Sequence, residues 1–113
     1  MAVLTIKRTF GPVGLTNTLT TNVYNNSSGL IYDIIRQIHV ANVTNAAAWF
    51  SLYLGLTGAN TAGTELFIEK SIAAYDVYDW YCTLKMLTTD FLVGGASAAS
   101  TLTITGMGEQ YVV

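Results

Sequence analysis

The chain has 113 residues, 51% of them hydrophobic and only 11% charged, with a formal net charge of −2 and a mean hydropathy of +0.42. A chain this apolar is not disordered, its length suits one domain over 1–113, and without a basic excess a phosphate-neutralising nucleic-acid binder is not expected. One Cys excludes an internal disulfide, and one His beside it argues against a zinc site.

Positive charges at the N-terminus follow the apolar residues instead of preceding them, so no signal peptide is expected. Apolar runs such as Ala46–Phe50 are far too short to cross a bilayer, so no membrane partner is expected. Thr is the commonest residue, with sixteen copies, and Ile, Val, Tyr, Phe and Trp are plentiful. This is strand composition. Period-two alternation runs through 3–10, with Leu4 and Ile6 expected inward, and through 15–24, with Leu19 and Val23 inward. Gly11–Gly14 reads as a turn or short loop between them, and Asn25–Gly29 as the next turn. Further strands are expected at 30–42, 48–55, 65–70, 75–86, 91–94 and 101–106. A long loop is expected at 55–64, a single helical turn near 71–75, a tight turn at Thr88–Asp90 and a small-residue loop or a bulged, weak strand at 94–100. Seven or eight short strands without helical period predict an all-β fold: a single antiparallel two-sheet β-sandwich, immunoglobulin-like or jelly-roll. Its expected core is Leu4, Ile6, Leu19, Val23, Ile38, Val40, Phe50, Leu52, Trp80, Leu84, Leu92, Leu102 and Ile104.

The sequence offers no catalytic motif. His39 is expected to face outward between Ile38 and Val40, without a second His. Cys82 reads as a buried core thiol, since free Cys is among the most buried residue types. Asp76 and Asp79 are three apart on a strand and face opposite sides, which does not suit a glycosidase pair. No dense run of oxygen ligands suits calcium. Gly106-Met107-Gly108 reads as a strand exit and not as a phosphate cradle, because no helix can follow it. No enzyme, metal or cofactor is expected.

The aromatic segments carry more. Alternation puts Tyr78, Trp80, Cys82, Leu84 and Met86 on one face, and Tyr75, Val77, Asp79, Tyr81, Thr83 and Lys85 on the other. Likewise Phe50, Leu52 and Leu54 oppose Trp49, Ser51 and Tyr53. With one core face per strand, Trp49, Tyr53, Tyr75, Val77 and Tyr81 become an expected contact surface, since Tyr and Trp dominate interfaces.

The stretch Ile34–Ala48 running into Trp49–Leu54 resembles small accessory proteins of tailed-bacteriophage virions, with a strand ending in an Ala-Asn-Thr corner, an Ala-rich turn and a second strand. Leu84–Val93 turning at Asp90, the small residues 94–100 and the strand 101–106 closing on Gly106 fit the same pattern, which covers roughly 15–109. Thr89 stands where the pattern has Gly. The resemblance implies a structural virion protein, foremost a capsid decoration (cement) protein. It would be assembled in the host cytoplasm and act as a homo-oligomer, with a trimer as one arrangement, on a major capsid or other virion protein. A tail, head–tail or head-fibre component and a carbohydrate-binding module of an adsorption apparatus are the alternatives, the last with outward Trp49, Tyr53, Tyr75 and Tyr81 as its stacking platform.

Overall fold

A computed structural model describes residues 3–25, 30–55 and 64–112. The described residues form eight strands: β1 Val3–Gly14, β2 Asn22–Asn25, β3 Leu30–Asn42, β4 Ala48–Gly55, β5 Glu65–Ile72, β6 Val77–Leu87, β7 Phe91–Ala96 and β8 Leu102–Val112. They form two four-stranded antiparallel sheets, ordered β1-β8-β3-β6 and β2-β7-β4-β5. Within the sheets β1 pairs β8, β2 pairs β7, β3 pairs β6 and β4 pairs β5, so the chain is one long hairpin rolled into two layers. Of the two expected architectures this is the jelly-roll. The first sheet is built of long strands, the second of short ones.

The core lies between the sheets. Phe10, Leu15, Ile35, Ile38, Val40, Phe50, Leu52, Ile72, Met86, Leu92, Leu102 and Ile104 form one buried cluster. Val23, Trp80 and Leu84 are half-buried against it, and so are Phe67 and Tyr78. Phe67 closes the edge between β5 and β6, with its ring edge-on to Trp80 at 4.9 Å and to Tyr78 at 5.8 Å.

Several sequence expectations are corrected. Gly11–Gly14 is not a turn: β1 runs on through it along β8, with irregularities after Arg8 and after Phe10. Pro12 is tolerated because β1 is an edge strand, and Gly11 takes a φ of +78° that a side chain would resist. The first irregularity adds one residue to the alternation, so Phe10 enters the core while Ile6, expected inside, is 80% exposed. The side chain of Leu4 lies outside the described residues, as do 26–29 of the expected turn and 56–63 of the expected loop. The expected strand 15–24 shrinks to β2. Thr21 donates its backbone N–H (3.1 Å) and its hydroxyl (2.9 Å) to the Thr18 carbonyl, and Thr16 Oγ1 accepts from the Thr18 N–H. These local bonds replace ladder bonds, and Leu19 is half-buried instead of core. Around 71–75 there is a hydrogen-bonded turn, Asp76 N–H to Ala73 C=O, and no helix. At the other end, Gly106-Met107-Gly108 lies inside β8, which continues to Val112.

Candidate interaction surface

The five expected contact residues do not form one patch. Tyr81 (73% exposed) and Val77 lie on the outer face of β6 in the long sheet, and Tyr75 (71% exposed) sits on the turn before it. Trp49 and Tyr53 belong to the other sheet. Trp49 is half-buried, and Tyr53 is 8% exposed and so is not a surface residue. Their outer face is covered at its centre, where Ser51 and Val93 are also buried. Thr16 and Thr21 carbonyls accept from the Ala96 and Gly94 N–H groups. The Thr16 and Thr18 carbonyls occupy the space a side chain at Gly95 would need. The Ser51 hydroxyl is used there as well, accepting from the Glu69 N–H at 2.9 Å where Glu69 takes a φ of 47°.

The long sheet is open. Its outer face begins on β1 with Ile6 and Arg8 and crosses β8 at Met107 and Glu109 to Arg36 and Gln37 of β3. These residues, with Gly108, line a shallow depression of about 290 Å³. Arg36 pairs with Glu109 (Nε to Oε1, 3.4 Å) and donates from Nη1 to Thr83 Oγ1 of β6 at 3.1 Å. Toward one end, the Tyr32 ring stacks on Tyr111 at 4.6 Å, with Lys85 Nζ 4.7 Å from the Tyr32 centroid. Toward the other end, Asp79 Oδ1 of β6 is bonded by His39 Nδ1 at 2.6 Å and by Gln37 Nε2 at 2.9 Å. The hydrogen bond from His39, and then that from Gln37, holds the Asp79 carboxyl below the usual range.

His39 faces outward as expected. Cys82 lies on the opposite face of β6, half-buried against the core, and its thiol donates to the Ile35 carbonyl at 3.4 Å. Burial pushes that thiol pKa up, the wrong direction for a nucleophile. The two residues that a Cys–His pair would need are therefore on opposite faces. Among the described residues no group of three or more His, Cys, Asp or Glu side chains could hold a metal, and no helix is long and apolar enough to cross a membrane.

One polar cluster was not legible in the sequence. Asp33 is fully buried in β3, and its Oδ2 accepts from the Tyr24 hydroxyl at 2.6 Å. Gln110, opposite Asp33 in the ladder, reaches the same hydroxyl at 3.4 Å. Burial, then the Asp33 hydrogen bond and charge, raises the Tyr24 phenol well above its ordinary value. Asp33 Oδ1 has no hydrogen-bond partner. The signal available was an Asp inside the apolar run Leu30–Ile35, but nothing in the spacing says that it points inward.

Comparison with known protein families finds no family model that matches the chain, and comparison with curated proteins finds no match.

Proposed function

We propose that the protein is a structural component that works through protein–protein contact: a virion protein of a tailed phage, foremost a capsid decoration protein that self-associates and binds a shell protein. The observation that carries this is the open outer face of the long sheet, where Ile6, Val77, Tyr81 and Leu87 stand exposed on a chain with only twelve Asp, Glu, Lys and Arg side chains. An interface of about 1,600 Å² over such a face releases apolar area at roughly 25 cal/mol per Å². Association costs take back most of that gain, and repetition on a lattice adds avidity. The jelly-roll recurs in viral capsid and lectin domains, but a fold does not assign a function. The weight therefore rests on the surface and on the resemblance of residues 15–109 to virion accessory proteins.

The test is co-sedimentation of the purified protein with phage shells that lack it, with copies per shell counted. Saturable binding at a fixed multiple of the lattice sites supports a decoration role. A few copies at a single vertex would move the protein to the head–tail or tail apparatus. No binding to shells or tails, together with binding to glycans, would replace the reading with the carbohydrate one.

A further inference from the structure

We propose that two copies of the chain join edge to edge through β6, antiparallel about a two-fold axis at Cys82, so that two long sheets become one of eight strands. The proposal rests on the self-association part of the reading above and names its surface.

Four strands end the two sheets, and three of them are blunted in the ways natural edges are. β1 contains Pro12 and two irregularities. β2 has four residues. β5 carries the positive-φ Glu69 and two register shifts against β4. β6 has eleven residues, no Pro and no Gly. Among the described residues, no backbone–backbone hydrogen bond is made between Tyr78 and Met86 on the side away from β3. It has a single register shift against β3, where Cys82 and Thr83 of β6 stand opposite Arg36 alone, and the in–out alternation of β6 continues past it.

An unpaired edge accepts any strand, so the occupant must be argued from the side chains. An antiparallel pair of identical strands places residues symmetrically about its centre, directly opposite each other and on the same face. Centred on Cys82, the outer face sets Asp79 against Lys85 of the second copy, Tyr81 against Thr83 and Val77 against Leu87. The inner face sets Trp80 against Leu84 and Tyr78 against Met86. Charge meets opposite charge twice, and apolar meets apolar. Moving the centre by one residue either way sets Asp79 against Thr83 or Leu87, and Lys85 against Val77 or Tyr81, so the charges lose each other. Asp79 also has room for the new partner: His39 and Gln37 both bond Oδ1, and Oδ2 has no bond among the described residues.

The experiment is sedimentation equilibrium of the full chain and of Asp79→Lys and Lys85→Asp variants, with melting temperatures recorded to verify folding. Each single variant sets like charges opposite one another, and its self-association should weaken roughly tenfold or more. Mixing the two folded variants should restore association as a heterodimer, and so should the double swap within one chain. In a second arm the wild-type chain is treated with diamide. Opposed residues of an antiparallel pair have Cα atoms about 4.5 or 5.5 Å apart, within disulfide range. The two Cys82 thiols should therefore give up two protons and two electrons to diamide and trap a covalent dimer, which Cys82→Ser abolishes. A wild-type chain that stays monomeric overturns both this proposal and the self-association on which it rests. A chain that assembles but ignores the charge swaps and forms no Cys82 cross-link overturns the β6 register alone, and leaves the wider reading standing on another surface.

Discussion

The outer faces of the two sheets read alike in sequence and differ in the fold. Trp49, Ser51 and Tyr53 alternate with core residues just as Asp79, Tyr81 and Thr83 do. Yet Ser51 and Tyr53 are buried, while Tyr81 and Thr83 are exposed. Alternation separates the two faces of a strand, but it does not say whether the second face meets solvent. That is decided by what crosses over it. The bonds from Gly94 and Ala96 to Thr21 and Thr16 lay chain against β7, whereas the long sheet carries its polar network uncovered. One sheet is therefore packed on both sides at its centre, and no described segment crosses the outer face of the other.

The sharpest way to break this contrast is a pair of truncations. Tyr53→Ala removes a buried ring and should cost about 3 kcal/mol of stability, as core aromatic deletions do. Tyr81→Ala should stay within about 0.5 kcal/mol in the monomer, as exposed substitutions do. Urea denaturation measures both. Equal costs would mean that the two outer faces are not different environments.

Glycines probe the cover itself. A Cβ at position 95 would meet the Thr18 and Thr16 carbonyl oxygens at 2.7 and 2.9 Å, whereas a Cβ at Gly14 meets nothing within 4 Å. Gly95→Ala should therefore destabilise by about 1–3 kcal/mol, the usual range for overpacking, and Gly14→Ala should change the melting temperature little. A neutral Gly95→Ala would show that the 16–18 backbone yields freely.

These contrasts mark what the residues alone could reveal. The all-β class and half of the buried cluster, Ile38, Val40, Phe50, Leu52, Leu92, Leu102 and Ile104, follow from a period of two. Ile6 fails because one extra residue near Thr9 reverses the phase, and no residue type announces that irregularity. The segment 15–21 alternates well but is threonine-rich, and its hydroxyls bond to nearby backbone and to each other instead of leaving a ladder intact. Tyr53 fails for a third reason, since its strand is read correctly and alternation alone does not say that its outer face is buried. Of the expected contact residues, Val77 and Tyr81 remain on the surface because no described segment crosses the outer face of β6, and Tyr75 because it sits on the turn before that strand.

The buried polar cluster tests the inner side of the long sheet. Tyr24→Phe removes the hydrogen bond to Asp33 Oδ2 and should cost about 1–3 kcal/mol, the penalty for an unpaired buried acceptor. The Tyr24 pKa is raised on folding, so the stability linked to it is complete below its ordinary value of 10.0 and is lost as pH rises above that value. Tyr24→Phe should therefore flatten the alkaline limb of a stability–pH profile. An unchanged alkaline limb would show that the phenol titrates as freely in the folded chain as in the unfolded one.

The smallest expected effect belongs to the outer face of the same sheet, at Asp79. Its carboxyl is held low by the hydrogen bonds from His39 and Gln37. A depressed carboxyl contributes stability that is complete above its unfolded value of 3.8 and is lost as pH falls through the folded value. The group is only half-buried, so the contribution is small and screened by salt. Asp79→Asn should leave the neutral-pH melting temperature nearly unchanged and make the fall in stability below about pH 4 shallower, with the difference shrinking in high salt. His39→Ala should reproduce part of that change, because it removes the stronger of the two bonds. If Asp79→Asn lowers stability at neutral pH as much as Tyr53→Ala does, the outer face of the long sheet is itself a packed surface and its contrast with the short sheet fails.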